Sequence, residues 1–476
     1  MAEVEAGPGA AADGMTSPAA DALALPPADA MTSPAADAAE ETGARPTERL
    51  PVAQLLQITL YWLGIAALQG GLGIAVQKRL PAMVPPGETG IYIAIQGLVI
   101  LWVNILVQPT VGMLSDYTVS RWGRRKPYIA IGATLDVLFV IGFAFSNSYV
   151  SLVAFLALLQ FSSNFAQGPF QGYVPDLVPE EQVGLASALL GAMQTVGFVI
   201  GGAVVTLTLL FGGDQPDYTI PTILVGLIEF ATAMGTIRWV REGGRPRDRR
   251  GRSWLQIARS AWAVDILRER SFVALVLSRL MFFAGVNAFL GFWVIFLDRT
   301  MTLTNAEQGT LYPVTQLVIA LLTAVATIPA ARISDRVGRK PVIYVASGIG
   351  AAGLAVMALS PSFWVFLVGA AIVACASGTF LAVDWALMTD IIPKAASGRY
   401  MGISNIAVAA AGALAAAVVG PVMDAVGGPQ QSADGPRAAY LAAVVFFILA
   451  AWFLRRVDPR PRTSLGPQPV PYPAQS

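Results

Sequence analysis

The segment SDYTVSRWGRRKP, residues 115–127, returns in shortened form as SDRVGRKP, residues 334–341. Each copy joins two long apolar stretches and carries the same polar pattern, Ser-Asp followed by Gly, basic residues and Pro. Their corresponding lysines, Lys126 and Lys340, are 214 positions apart. A repeated loop of this kind indicates that the chain contains two related halves.

A second pair of loops supports the same duplication. The segment PDLVPEEQVG, residues 175–184, corresponds to TDIIPKAASG, residues 389–398. Asp176 and Asp390 are again 214 positions apart. Two separate loops with one common offset predict that the halves have the same fold.

The composition places both halves in a membrane. Of 476 residues, 55% are hydrophobic and 13% are charged, and the mean hydropathy is +0.61. An ordinary soluble domain has about 25% charged residues, so a soluble enzyme is excluded. The net charge of +1 argues against nucleic-acid binding, and a chain with no histidine and one cysteine, Cys375, predicts no metal site and no disulfide framework.

Twelve apolar segments are long enough to cross a bilayer, since a helix needs about 20 residues to do so. Uniformly apolar runs exclude a β-barrel, whose strands alternate. We therefore predict an all-α membrane protein with twelve transmembrane helices in two pseudo-symmetric six-helix bundles. The predicted spans are 53–76, 89–112, 127–147, 149–173, 184–211, 219–240, 271–297, 309–331, 341–359, 362–388, 399–423 and 438–456.

The segments outside the spans complete the predicted organisation. If both termini are cytoplasmic, 26 of the 31 Lys and Arg residues lie inside, as the positive-inside rule requires. We expect a multi-pass protein of the cell membrane in this orientation. The predicted parts are a disordered Ala/Pro/Asp-rich tail (1–49), an N-terminal bundle (50–240), a basic linker (241–270), a C-terminal bundle (271–457) and a Pro-rich tail (458–476).

The repeated loop resembles the signature loop of the major facilitator superfamily. The wider segments QPTVGMLSDYTVSRWGRRKPYI (108–129) and LQFSSNFAQGPFQGYVPDL (159–177) are similar to the sucrose–proton symporters and the glycoside–pentoside–hexuronide cation symporters. This resemblance implies transport by alternating access, in which two bundles expose one site to each side in turn. It also implies a sugar or glycoside as the solute.

In that superfamily the loop charges form a cytoplasmic gate, with the Arg residues paired to acids below the fourth helix and the Asp facing a helix N-terminus of the other half. The alternative is simple positive-inside anchoring, which explains the basic residues but not the repeated pattern. The residues that the resemblance assigns to the gate are Asp116, Arg124, Arg125, Lys126, Asp176, Asp335, Arg339, Lys340 and Asp390.

Two departures from the symporters concern the coupling ion. Sodium-coupled relatives have two acids four residues apart on the second helix, where this chain has Asn104 and Gln108. Proton-coupled sucrose carriers have an acid and an arginine on the fourth helix, at the positions of Gln160 and Gln171. The usual coupling sites are therefore neutral, and the sequence leaves proton coupling and simple facilitation both open.

Amide side chains form a polar stripe on the fourth predicted helix, at i, i+4, i+7 and i+11. Amides both donate and accept hydrogen bonds, as sugar hydroxyls require; the alternative is that they lock this helix to the second helix. The first helix adds aromatic and amide side chains. The candidate solute-binding residues are Gln57, Tyr61, Trp62, Asn104, Gln108, Gln160, Asn164, Gln167, Arg279 and Asn287.

Four charged residues, Asp136, Glu229, Arg279 and Asp384, lie inside predicted spans. Each costs about 2.5–3.5 kcal/mol at a helix centre, so each needs a partner or a function. We predict that Arg279 and Asp384 form a pair or share a network, and that Asp384 is the leading site for a coupling proton. A static ion pair is the alternative. Asp136 and Glu229 are further coupling candidates, although hydrogen bonds within their own bundle are the simpler expectation.

These features predict a secondary active transporter of a small polar solute, which we expect to be a sugar, with no cofactor beyond a coupling proton. The expected partners are the lipid bilayer and the solute, and the expected state is a monomer. Alternatives are an efflux antiporter for drugs or metabolites and a non-transporting receptor on the same fold. A membrane enzyme is not expected, because the chain has no histidine cluster and no nucleophile motif.

Overall fold

A computed structural model gives the fold of residues 48–211, 216–242, 253–254, 270–391 and 397–457, without the side chains of 385, 386, 389–391, 397–403 and 405. The predicted tails, apart from Glu48 and Arg49, and most of the predicted linker 241–270 lie outside these residues. Within them, twelve helices are long and apolar enough to cross a membrane. This confirms the predicted fold class.

The twelve helices match the predicted spans to within a few residues, and several extend beyond them. Helix α1 (Val52–Ala82) consists of two helical stretches, Val52–Thr59 and Tyr61–Arg79, and a final turn. The others are α2 (Thr89–Asp116), α3 (Lys126–Ala144), α4 (Tyr149–Phe170), α5 (Val183–Phe211), α6 (Thr219–Trp239), α7 (Arg270–Thr300), α8 (Asn305–Val337), α9 (Arg339–Ala358), α10 (Phe363–Ile391), α11 (Ser397–Gly427) and α12 (Asp434–Leu454).

Local sequence explains where several helices begin. Ser148 caps α4, and Thr304 caps α8 in a capping box with Glu307. These side chains accept hydrogen bonds from amide groups of the first helical turn that have no partner within the helix. Between α8 and α9, Gly338 has φ 91°, a conformation that favours glycine, and this residue lets one helix end and the next begin at once.

The helix contacts repeat with a period of six helices. In the first half, α1 packs on α5 and α6, α4 packs on α2 and α3, and α6 packs on α3 and α5. Adding six to each number gives the contacts of the second half, in which α7 packs on α11 and α12, α10 on α8 and α9, and α12 on α9 and α11. We call these halves the N-terminal and C-terminal bundles.

The two bundles meet through α2 with α11, α5 with α8, and α1 with α7. Exchanging the bundles turns the first of these contacts into the second, as pseudo-two-fold symmetry requires. Helices α2 and α11 are in close contact at Gly90 and Gly420, where a Cβ added to Gly90 would lie 2.1 Å from the Gly420 oxygen. Small residues allow such close packing within a membrane.

Large apolar side chains also cover the outside of the molecule. Trp102 on α2, Val150 on α4 and Trp364 on α10 are each more than 60% exposed. A surface of this kind is stable in lipid but not in water, so the chain is a multi-pass membrane protein.

Candidate functional site

A cavity of about 850 Å³ lies between the two bundles. The N-terminal bundle lines it with α1, α2, α4 and α5, whereas the C-terminal bundle contributes Leu290 and Gly291 of α7 and Val408 and Ala409 of α11. The polar lining is therefore one-sided. The amides that line it are Gln69, Gln77, Gln96, Asn104, Gln108, Gln160, Asn164, Gln167, Gln171 and Gln194.

The amide stripe of α4 faces this cavity along its whole length. Gln160, Asn164, Gln167 and Gln171 all line it, together with Ser163. Asn164 donates a hydrogen bond of 2.7 Å from Nδ2 to Oδ1 of Asn104 on α2. The stripe thus lines a cavity and also joins α4 to α2, while solute binding by these amides stays a prediction.

The part of the cavity wall that the structure describes carries hydrogen-bonding groups and no charged side chain. Among the described residues that line it, none is Asp, Glu, Lys or Arg. Trp62 from α1 adds an aromatic ring, which lies 5.7 Å from the ring of Phe170. This combination suits a neutral solute with many hydroxyl groups, because amides form hydrogen bonds with hydroxyls and an aromatic face packs on the carbon skeleton of such a solute.

The other predicted solute-binding residues lie elsewhere. Tyr61 is fully buried and donates a 2.6 Å hydrogen bond to Oε1 of Glu229, and neither Gln57 nor Arg279 is among the residues that line the cavity. Tyr61 is not among the residues that line the cavity, because its hydroxyl points into the N-terminal bundle, and its contact with the solute stays a prediction. Asn287 lines a smaller adjoining pocket of about 260 Å³.

Gln77 connects the cavity wall to the backbone of α7. Its Nε2 donates to the carbonyl of Leu290 at 3.3 Å, and its Oε1 accepts from the amide of Val294 at 3.1 Å. Leu290 and Val294 are four residues apart, so in a regular helix the amide of Val294 would donate to the carbonyl of Leu290. The side-chain amide of Gln77 bonds to both of these groups. Sequence reasoning missed this contact, because a glutamine in an apolar run gives no sign of its partner.

The predicted pairing of Arg279 with Asp384 is confirmed. Arg279 Nε lies 3.2 Å from Oδ2 of Asp384, and both side chains are almost fully buried in the C-terminal bundle. Arg279 Nη1 also donates to Oγ of Ser404 at 2.7 Å. The pair joins α7, α10 and α11, while both oxygens of Asp384 accept no hydrogen bond in the described structure.

Asp136 and Glu229 are both fully buried inside the N-terminal bundle. Asp136 on α3 accepts a hydrogen bond from Ser162 of α4, and Glu229 on α6 accepts one from Tyr61 of α1. The expected hydrogen bonds within the bundle are therefore present. Neither carboxyl group lines the central cavity.

The repeated loops lie at one end of the bundles, which we call the motif end. Here Asp176, after α4, pairs with Arg124 and with Arg125, whose Nη2 lies 2.7 Å from Oδ2 of Asp176. Arg125 also pairs with Asp116 at 3.1 Å and donates to the carbonyl of Pro169. The pairing of the arginines with the acid below α4 agrees with the expected gate geometry, and the described contacts of Asp116 are within its own bundle.

Glu242, which follows α6, completes this cluster and was missed by sequence reasoning. Its carboxylate accepts hydrogen bonds from the backbone amides of Arg125 at 3.0 Å and Lys126 at 2.8 Å, and from the hydroxyl of Tyr173 at 2.7 Å. An anion at the N-terminus of α3 is favourable. Gly123, with φ 111°, makes room for it, since a Cβ there would lie 2.2 Å from a Glu242 oxygen.

The second copy of the loop also makes polar contacts. Arg339 pairs with Asp335 and donates to Oγ of Ser334, and Lys340 donates to the carbonyl of Val457. The side chain of Asp390 lies outside the described residues.

At the opposite end, which we call the far end, polar contacts join the two bundles. Lys78 of α1 pairs with Asp298 of α7 at 2.7 Å. Asp424 of α11 accepts hydrogen bonds from the amides of Gly90 at 2.9 Å and Ile91 at 2.7 Å, in the first turn of α2. These contacts close the far end, whereas the cavity reaches Gln171 and Val174 toward the motif end.

Arg299 adds one more bond across the far end, from Nη2 to Oγ1 of Thr89 at 2.9 Å. Lys78 further donates to Oε1 of Gln308, and Tyr312 donates to Asp298. None of these residues was assigned a role from the sequence. The sequence shows that these residues are charged, but it does not show that they pair across more than 200 positions.

Two duplicated helical bundles around a polar cavity, closed at one end by contacts between the bundles, define the architecture of a membrane transporter. The chain belongs to the MFS/sugar transport protein family, whose pattern it matches over residues 87–458. The family resemblance noted in the sequence is thereby confirmed.

Curated relatives include sucrose transport proteins of rice. The chain is 32% identical over 120 residues to "Sucrose transport protein SUT1" of Oryza sativa subsp. japonica, a match that covers 21% of this chain and 22% of that protein. It is 28% identical over 174 residues to "Sucrose transport protein SUT3" of the same subspecies, covering 30% and 34%. The matches thus span between about a fifth and a third of these relatives.

Solved structures share the fold over nearly the whole chain. A bacterial homologue of the human lysosomal transporter Spinster superposes with a TM-score of 0.67 at 16% identity, covering 87% of this chain and 97% of that one. A point mutant of the nucleoside transporter NupG gives a TM-score of 0.69 at 12% identity, covering 85% and 100%. At these identities the likeness concerns the fold alone.

Proposed function

We propose that this protein carries a small neutral sugar or glycoside across the cell membrane by alternating access. The observation that carries the proposal is the amide-lined cavity between the bundles, whose described lining residues carry no charge. A phosphorylated or carboxylated solute would find no cation in the described wall, whereas hydroxyl groups would find donors and acceptors on α4 and α2. The sucrose transport proteins among the relatives support the same class of solute.

The contacts at the two ends support the transport cycle. The far-end bonds of Lys78 and Asp424 hold the bundles together on one side, and they must break when the cavity opens there. The charges around Asp176 at the motif end serve the opposite gate in this proposal. Following the distribution of Lys and Arg, we place the motif end and both termini in the cytoplasm, with the protein acting as a monomer.

For a proton-coupled cycle we assign the coupling proton to Asp384. This carboxylate is buried, accepts no described hydrogen bond, and lies beside the guanidinium of Arg279. Protonation would release Arg279 from the pair, and Arg279 also bonds Ser404 of α11, a helix that lines the cavity. A proton would in this way alter the packing of the cavity wall.

The test is uptake of radiolabelled solutes into proteoliposomes, with and without an inwardly directed proton gradient. A panel of neutral mono- and disaccharides is compared with a sugar phosphate and with an apolar cationic drug. The proposal expects saturable uptake of a neutral sugar, and loss of gradient-driven accumulation but not of sugar exchange in Asp384→Asn. Uptake of the drug alone would favour efflux by antiport, and binding of a sugar without uptake would favour a receptor.

A further inference from the structure

The N-terminal bundle contains two acidic side chains that the proposed solute cavity does not use. Asp136 of α3 and Glu229 of α6 are both 0% exposed. The helices that carry them are in contact one turn away, where a Cβ added to Gly226 of α6 would lie 3.0 Å from a side-chain atom of Val140 on α3, and the two carboxyl groups interact with each other. Two ionised carboxylates in a dry site repel each other strongly, because low dielectric screens charge poorly.

The hydrogen bonds around the pair leave one place for a donor. Ser162 supplies a donor to Oδ1 of Asp136, and Tyr61 supplies one to Oε1 of Glu229. The remaining oxygens, Asp136 Oδ2 and Glu229 Oε2, are buried and have no donor in the described structure. A buried acceptor without a donor is rare and unfavourable. One proton held between the two carboxyl groups would correct this.

No cation takes the place of that proton in the described part of the chain. Neither carboxyl group there forms an ion pair with Lys or Arg. The titratable groups that face one another are Asp136 from α3, Glu229 from α6 and Tyr61 from α1. The fourth helix contributes the hydroxyl of Ser162, which is a hydrogen-bond donor and not a charge.

We propose that Asp136 and Glu229 form a proton-binding site in the N-terminal bundle, which holds one proton shared between the two carboxyl groups. The pair then has a single negative charge that the hydroxyls of Ser162 and Tyr61 stabilise. This site is separate from the Arg279–Asp384 pair and goes beyond the proposed coupling role of Asp384.

The site lies directly behind the wall of the solute cavity. Trp62, next to Tyr61, and Ser163, next to Ser162, both line that cavity. The shared proton therefore joins four helices, α1, α3, α4 and α6, two of which contribute to the wall. Loss of the proton at alkaline pH leaves two adjacent anions and loosens this part of the bundle.

Infrared difference spectroscopy of the purified protein between neutral and alkaline pH tests the proposal, and it requires neither solute nor transport. The wild type should show the carbonyl stretch of a protonated carboxylic acid that disappears at alkaline pH. Asp136→Asn and Glu229→Gln should both lack this band. Each variant keeps the shape of the pair, because its amide hydrogen replaces the shared proton and its oxygen still accepts from Ser162 or Tyr61.

Two further variants and one measurement complete the experiment. Asp384→Asn should retain the band, since Asp384 belongs to the other bundle, and so should Glu88→Gln, an exposed acid outside the spans. The thermal midpoint of the wild type should fall toward alkaline pH, and that of Asp136→Asn should not. A wild type without the band, or a band that persists in both Asp136→Asn and Glu229→Gln, would overturn the proposal, whatever the protein transports.

Discussion

Replacing Asp424 with alanine should open the far end of the molecule. The carboxylate of Asp424 holds α11 to the first turn of α2 through the amides of Gly90 at 2.9 Å and Ile91 at 2.7 Å. The residue is 6% exposed, so water does not compete for these bonds while the far end is closed. Because the two helices belong to different bundles, the bonds stabilise only the closed arrangement.

The size of the effect follows from these two bonds. A hydrogen bond to a charged group contributes about 1.5–3 kcal/mol, so the low value gives roughly 3 kcal/mol for both. This net value already includes the bonds that water makes to the freed amides of α2. It corresponds to a change on the order of a hundredfold in the ratio of open to closed molecules. Asp424→Asn, which loses the charge but keeps an acceptor, should have a smaller effect.

Distances between two spin labels, measured by double electron–electron resonance, report the ratio of open to closed molecules. Labels are attached through cysteines at Asn147, in the loop after α3, and Gln430, in the loop after α11, both exposed at the far end. The background is Cys375→Ala, which removes the native cysteine. The matched control is Asp217→Ala, because Asp217 accepts from the amide of Thr219 within one bundle.

Asp424→Ala should shift the distance distribution toward longer values, and Asp217→Ala should leave it unchanged. If the distribution of Asp424→Ala equals that of the labelled parent, the far-end bonds do not hold the gate and the reasoning fails.

Three further substitutions should change stability or binding. In Gly201→Ala the new Cβ would lie 1.8 Å from the carbonyl oxygen of Ala67, so the thermal midpoint should fall by the equivalent of about 1–3 kcal/mol. The control Gly184→Ala, at an open position, should not lower the midpoint in this way. Equal midpoints of the two variants would contradict the close packing at Gly201. Glu242→Ala removes the anion from the N-terminus of α3 and should cost about 1–2 kcal/mol of stability in the same assay, with Glu242→Gln in between. Gln167→Leu should weaken solute binding about tenfold with unchanged stability, as measured by sugar exchange across a range of concentrations; unchanged affinity would remove Gln167 from the site.

The course of the backbone could be predicted because it depends on properties that each segment carries by itself. A run of about 20 apolar residues must form a helix in lipid, where every backbone amide and carbonyl needs a partner. The duplication could be predicted from the pairs Lys126/Lys340 and Asp176/Asp390, because the members of each pair lie in similar loops that follow corresponding helices of the two halves. The repeated helix contacts then follow from the common fold of the two halves.

The site was only partly predictable, because a uniformly apolar helix does not show which face is turned inward. On α4 the regular spacing of four amides identified the face, and all four line the cavity. On α1 the aromatic residues Tyr61 and Trp62 are adjacent in sequence, yet only Trp62 lines the cavity, while Tyr61 bonds Glu229 behind it.

Contacts between distant parts of the chain escaped sequence reasoning altogether. Asp424 accepts hydrogen bonds from backbone amides. Because nearly every residue type has the same backbone amide, the sequence does not show which residues donate to Asp424. Glu242 was counted only as part of a linker, although it caps α3 more than 100 positions earlier. Such pairings depend on how the helices pack, which the sequence of either partner does not reveal.

We propose that the solute binds against the amide face of α4, between the bundles. The alkylation rate of Ser163→Cys in a Cys375→Ala background tests this binding site, because Ser163 lines the cavity and differs from cysteine by one atom. A transported neutral sugar at a saturating concentration should slow alkylation of Ser163→Cys several-fold. It should leave the alkylation rate of the exposed control Asn147→Cys unchanged. An unchanged rate at Ser163→Cys, under conditions where the sugar saturates uptake, would contradict the account.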